Sequence, residues 1–121
     1  MSRISRGKNA EDEACKILPR YGYKIVERNY RTRAGEIDII ARHKNDLVFI
    51  EVRARSRDDF GTGQETVNFR KQKKIKKTAL AYIMEKDLKD VNFRFDVIGI
   101  TLDNETGVPK ELEIFQNAFS M

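Results

Sequence analysis

Apolar positions along the chain change period several times, and each change marks an element. Ala10, Ala14, Ile17, Leu18 and Tyr21 fall at helical spacing, with Asn9 as the candidate N-cap. Pro19 removes a backbone donor and predicts a kink or a tighter turn near the helix end, and Gly22 supplies the stop. Residues 23–30 read as a strand. Residues 35–43 and 47–55 read as two further strands joined by a short polar turn around Lys44 and Asn45. Residues 56–66 carry Gly61 and Gly63 among polar neighbours and read as a loop. From about Asn68 the period turns helical again, with Ile75, Ala79, Tyr82 and Ile83 on one stripe. Residues 92–102 form another strand, and residues 111–115 a short edge strand after a turn at 104–109. The order is αβββαβ(β), which predicts the α/β class: a mixed central sheet flanked by helices.

The stretch GEIDIIARHKNDLVFIEVRAR, residues 35–55, carries the candidate chemistry. Side chains alternate between the faces of a strand, so parity assigns Ile37, Ile39, Ala41, Val48, Ile50 and Val52 to one apolar face. A turn centred between Lys44 and Asn45 sets Asp38 opposite Glu51 and Glu36 opposite Arg53 on the other face, beside Ile40 and Phe49. Opposed residues lie about 4.5–5.5 Å apart at Cβ, where two like charges destabilise each other unless a cation stands between them. A hard ion such as Mg²⁺, which takes a small number of carboxylates plus water, answers that need. The ordinary alternative is a solvated hairpin face whose ion pairs contribute about 0–1 kcal/mol each. Against it stand the mid-strand position of the carboxylates and the apolar Ile40 and Phe49 on the same face, which imply that a helix covers this face too.

Composition narrows the setting. At 121 residues the chain reads as one domain, 1–121, able to bury a core without disulfides. Charged residues make up 36% and apolar residues 40%, and the apolar ones cluster in periodic runs, as in a folded protein with a solvated surface. No apolar run approaches the roughly 20 residues that span a bilayer, and residues 1–14 have no apolar signal-like core. With the single cysteine, Cys15, these features predict a cytoplasmic protein with no membrane partner. The net charge of +5 points to a polyanionic partner. The run RKQKKIKK concentrates that charge in Arg70, Lys71, Lys73, Lys74, Lys76 and Lys77 on the second helix, and Arg53, Arg55 and Arg57 continue it. Crowded lysines repel one another, and a phosphate backbone relieves this; a solvated basic face is the alternative. Lys71 and Gln72 flank the packed stripe and can reach the carboxylate face, although Lys71 can equally snorkel over apolar surface.

Other residues suggest ordinary roles. His43, without a second His or Cys nearby in sequence, reads as a surface residue, and Cys15 as packed in or near the core. Tyr21, Tyr23 and Tyr30 read as core and rim, and Asp96 as an ion-pair partner of Arg94 or a lysine.

Asp38 followed across a short hairpin by Glu51-Val52-Arg53 resembles the PD-(D/E)-x-K nuclease core. The fuller pattern is similar to the YraN-like family of predicted bacterial endonucleases, related to Holliday-junction resolvases. It comprises Gly7, Ala10, Glu11 and Ala14, then YGYKIVERNYR running into GEIDIIA, LVFIEVRAR, Phe60-Gly61, Lys71-Gln72 and RFDVIGI. The resemblance implies a restriction-endonuclease-like core binding Mg²⁺ or Mn²⁺ through Asp38, Glu51, Glu11 and the Val52 carbonyl. It places Arg53 where the motif has lysine; strand parity adds Glu36 to the same face as a catalytic candidate. Arginine effectively cannot lose its proton, so Arg53 can polarise water or hold phosphate but cannot serve as general base. Lys71, Gln72, Arg70, Lys73, Lys74, Lys77 and Arg55 become the DNA-binding set. Resolvase relatives further imply branched DNA as substrate and a homodimer, with Leu112, Ile114 and Phe115 either sealing an edge between copies or completing the sheet of a monomer. The rival readings are a nucleic-acid-binding module that keeps the nuclease fold with little or no catalysis, and an interaction protein whose basic helix docks an acidic partner.

Overall fold

The computed structural model describes residues 3–56, 67–103 and 105–121. Helix α1 (Arg3–Ile17) tightens into a 3-10 turn at Leu18–Tyr21, where Pro19 supplies the fixed φ, and Gly22 closes it at φ +88°. The sheet follows as β1 (Tyr23–Arg31), β2 (Glu36–His43) and β3 (Asp46–Ser56). Helix α2 (Phe69–Glu85) then crosses over to β4 (Asn92–Leu102), and β5 (Pro109–Phe119) ends the fold. The strands lie in sequence order, antiparallel except for the parallel pair β3/β4 that the α2 crossover makes possible. This is the mixed sheet flanked by helices expected from the period changes.

Each face of the sheet carries its own core. Ala10, Ala14 and Leu18 of the α1 segment pack on Ile39, Ala41, Val48, Ile50, Ile98 and Ile100, the alanines letting the helix axis approach closely. Ile75, Ala79 and Tyr82 of α2 cover Ile40, Leu47, Phe49, Phe95 and Val97 on the other face. Cys15 packs beside the first cluster as expected. No helix of the described residues is long and apolar enough to cross a membrane.

Four sequence expectations need correction. Helix α1 starts at Arg3, so Asn9 lies inside it instead of capping it; Asn costs a helix interior only about 0.7 kcal/mol or less, too little to define a boundary. Ile37 packs with the α2 cluster and not with Ile39, at the point where β2 no longer pairs with β3. Strand β5 spans Pro109–Phe119, longer than the short edge strand expected, and completes the sheet with Leu112 and Ile114 on one face and Phe115 and Phe119 on the other. His43 is buried, not a surface residue: it stacks on Tyr23 at 4.1 Å between ring centroids and meets Arg94 Nη2 at 2.7 Å through Nδ1. Arginine can only donate, so Nδ1 is the acceptor.

That histidine belongs to a polar network at the end of the sheet where the β2–β3 turn lies. Asp96, almost fully buried, accepts from Tyr23 Oη at 2.7 Å, Arg94 Nε at 3.0 Å and the Asn117 amide at 2.9 Å. Arg94 also donates to Asp46 at 2.7 Å. The expected Asp96–Arg94 ion pair is therefore one link in a saturated set of bonds. Asp96→Ala removes the acceptor of Tyr23 Oη, Arg94 Nε and the Asn117 amide at once, leaving Arg94 its bonds to Asp46 and His43, and about 3–5 kcal/mol of unfolding free energy should disappear in urea titrations. A loss below about 1 kcal/mol would show that water readily replaces the carboxylate.

Candidate functional site

Strands β2 and β3 pair from the turn, His43 opposite Asp46, up to Ile39 opposite Ile50, and no further among the described pairs. Beyond that point β2 stays with β1 as far as Glu36, while β3 stays with β4 as far as Ser56. The two strands thus fork, and Asp38 and Glu51 stand one step inside the fork. The backbone group that the lost ladder leaves is not wasted: the Val52 amide donates to Asp38 Oδ2 at 2.8 Å. The register expected for this hairpin holds through its paired length. The expected facing of Glu36 and Arg53 is not among the pairs; Glu36 lies opposite Arg31 on β1, 3.3 Å from its Nε, and Arg53 lies beside Gly99 of β4.

Parity in β3 places Glu51 with Leu47 and Phe49, on the α2 side of the sheet. Its side chain is 5% exposed, and Lys71 Nζ reaches Glu51 Oε2 at 2.5 Å. Helix α2 is aimed to deliver that lysine. Asn68 caps it, accepting from the Lys71 amide at 2.9 Å, and Gln72 Nε2 ties the preceding Val67 carbonyl at 2.7 Å. Gly35 lets the helix lie close to β2, since a Cβ there would meet Lys74 Cβ at 3.2 Å and Thr78 Oγ1 at 3.3 Å.

From the other face, α1 brings Glu11 to the same end of the sheet. Asn29 of β1, at φ +53°, presents an amide nitrogen 3.0 Å from Glu11 Oε1 and 3.1 Å from Glu36 Oε1. Arg28 bonds Asp12 at 2.7 Å and approaches Glu11 at 3.9 Å. Burial pushes the Glu11 carboxyl up; Arg28 opposes this, while Glu36, Asp12 and Glu51 add to it. Asn29 was not singled out from the sequence. Its signal was an Asn inside a strand, one of the few non-glycine residues at ease with positive φ.

Asp38 feels these carboxylates most. Burial, then the Glu51 charge, push its pKa up to about 8, against the pull of the Val52 N–H, and its carboxyl hydrogen-bonds Glu51. Two adjacent carboxylates that retain a proton near neutral pH are a donor set short of positive charge. All their ligand atoms are oxygen, as a hard divalent ion prefers, and two carboxylates with water suffice for Mg²⁺. Among the described residues there is no group of three or more His, Cys, Asp or Glu arranged to hold a metal ion. The residues present therefore fit a two-carboxylate site and not a protein cage.

Of the expected phosphate-binding residues, Arg70, Lys73, Lys74 and Lys77 are exposed on α2, and its first turn contains no acidic residue. Arg55 is directed elsewhere, to Glu113 of β5 at 3.4 Å. The loop with Arg57, Phe60, Gly61 and Gly63 lies outside the described residues.

A family model described as "Uncharacterised protein family UPF0102" matches residues 10–100. The chain is 42% identical over 123 residues to a UPF0102 protein of Sulfurihydrogenibium, covering 100% of this chain and 99% of that one. A UPF0102 protein of Thermodesulfovibrio yellowstonii is 46% identical over 119 residues, 98% of this chain and 99% of the other. One from Hahella chejuensis is 47% identical over 104 residues, covering 86% and 84%.

The elevated Asp38 pKa has a signed consequence for stability. The folded value lies above the ordinary 3.8, so both states are protonated below about pH 4 and the group is neutral to stability there. As pH rises from about 4 to about 8 the unfolded chain ionises first, and the folded state loses relative stability. Asp38→Asn keeps an acceptor for the Val52 amide and removes the penalty. In EDTA it should be more stable than wild type by about 2 kcal/mol at pH 8 and nearly equal at pH 4, by urea denaturation. Equal stability at pH 8 would mean that the pair is well solvated.

Proposed function

The chain belongs to the UPF0102 family, and on that premise we propose that it is a divalent-metal-dependent endonuclease that hydrolyses phosphodiester bonds in DNA. The observation that carries this reading is the placing of Asp38 beside Glu51 at the strand fork, next to the basic first turns of α2. The family supports a PD-(D/E)-x-K-like nuclease fold, and we read the whole of 1–121 as one unit.

Asp38 and Glu51 would hold Mg²⁺ or Mn²⁺, with the Val52 carbonyl and water completing the set and Glu11 standing at the same end of the sheet. The ion, when bound, supplies Lewis acidity at the phosphoryl oxygens. The chain's own residues do the rest. Arg70, Lys73, Lys74 and Lys77 seat the phosphate backbone, and binding should weaken steeply with salt. The guanidinium of Arg53 stays charged throughout, so its part is to stabilise negative charge on the scissile phosphate. Glu36, tied to Arg31 and Asn29, sets the edge of the fork. Branched DNA and a homodimer extend this reading through the resolvase resemblance, and we propose a cytoplasmic setting, with which the free Cys15 is compatible.

A second reading is a nucleic-acid-binding module with little or no catalysis. It is favoured by Arg53 at the motif lysine position and by the ammonium already seated on Glu51.

Labelled linear and four-way DNA incubated with Mn²⁺ or with EDTA separate the two. The nuclease reading predicts metal-dependent products from wild type and none from Asp38→Asn or Glu51→Gln. Binding without products on every substrate supports the module instead. Full activity in both variants would remove the fork from the chemistry.

A further inference from the structure

We propose that Lys71 is the resident counter-ion of the carboxylate fork: its ammonium holds Glu51 in the metal-free protein and is displaced when a divalent cation loads. The proposal rests on the metal-dependent reading above and names a competitor built into the same site.

Three observations carry it. The first is contact. Lys71 Nζ lies 2.5 Å from Glu51 Oε2, the oxygen atom of a carboxylate only 5% exposed. An ammonium and a hard divalent ion seek the same lone pairs, so they compete wherever Glu51 is to be a ligand.

The second is asymmetry of burial. The Lys71 side chain is 49% exposed while that of Glu51 is nearly enclosed. When the bond breaks, the lysine swings into water on its flexible stem at little cost. Glu51 cannot follow, and must receive another cation in its place. The exchange is one cation for another at a fixed carboxylate.

The third is position on the helix. Lys71 lies in the first turn of α2, three residues after the cap Asn68, where the helix dipole favours an acidic side chain. That turn has no acidic residue, and Arg70, Lys73 and Lys74 crowd beside it. A lysine placed against both the dipole and its neighbours needs an anion. Glu51 supplies one before loading. After loading, the released ammonium adds to the basic group beside the fork, where a phosphate can take over as its partner. Metal entry and phosphate binding would then favour each other, as linkage requires of two ligands that select the same lysine position.

The test is Mn²⁺ affinity, read by calorimetry and by the paramagnetic signal of the free ion, for wild type and for Lys71→Met, Lys71→Arg, Glu51→Gln and Lys71→Met/Glu51→Gln. The Lys71 side chain takes no part in the cap, which uses its backbone amide, so Lys71→Met should fold; its melting curve verifies this. Removing the competitor should tighten Mn²⁺ binding by about fivefold or more. Lys71→Arg, which keeps a cation on the same stem, should stay near wild type. Adding Glu51→Gln to the methionine variant should abolish the gain. Equal affinities for wild type and Lys71→Met, both lost with Glu51→Gln, would overturn the proposal while leaving the metal site standing. Weaker binding by Lys71→Met would overturn it too, making the lysine a support for Glu51. No binding by any variant, wild type included, would remove the metal reading and the proposal together.

Discussion

Two carboxyl groups brought side by side out of water cannot both remain ionised unless positive charge is placed between or against them. Asp38 and Glu51 are in that position because β2 and β3 part company after Ile39 and Ile50. Within the ladder, the two side chains would be neighbours on a continuous pleat. In the fork, one carboxylate takes over the hydrogen bonding of a vacated ladder position, accepting from Val52, and the other turns toward α2. Burial and the Glu51 charge push the Asp38 pKa up, and the Lys71 ammonium sits on Glu51. On the proposed reading a divalent ion would replace both the Asp38 proton and the Lys71 ammonium, which is what would distinguish the fork from a structural ion pair.

The rest of the fold holds that arrangement in place. Separate apolar clusters clamp α1 and α2 to opposite faces of one sheet, so that residues from both helices reach the same end of it. Gly35 sets how closely α2 approaches β2, and Asn68 with Gln72 fixes where the helix begins. The turn end of the sheet has a different character. There the buried Asp96, Arg94 and Tyr23 bond one another fully, with His43 stacked alongside. Charges that satisfy one another internally leave nothing for a ligand; at the fork the balance rests on a raised carboxyl pKa and one half-exposed lysine.

Much of this was legible in the sequence because it depended on local period. The alternation in residues 47–55 and the short turn at Lys44 and Asn45 fixed the register through Ile39 and Ile50, one step from where the Asp38 and Glu51 side chains meet. The stripe of Ile75, Ala79 and Tyr82 gave the packed face of α2. What period cannot show is where strands separate. Strict alternation put Ile37 with Ile39 and Glu36 opposite Arg53, yet β2 parts from β3 here, Ile37 joins the α2 cluster and Glu36 binds Arg31 and Asn29. Contacts between distant segments were also out of reach. His43 looked solitary because Arg94 and Tyr23 are far from it in sequence, and the pairing of Lys71 with Glu51 depends on a helix pose set partly by Gly35. Arg55, read as a phosphate contact from its place in a basic run, is directed to Glu113 on a strand whose full length the apolar pattern did not show.

The central claim is that the fork is a cation site, and diffraction from crystals soaked in Mn²⁺ tests it most directly. The account predicts one strong anomalous peak within coordination distance of both Asp38 and Glu51, with the Lys71 side chain turned away from it. Anomalous density confined to surface carboxylates, with Lys71 still bonded to Glu51 at saturating Mn²⁺, would contradict it.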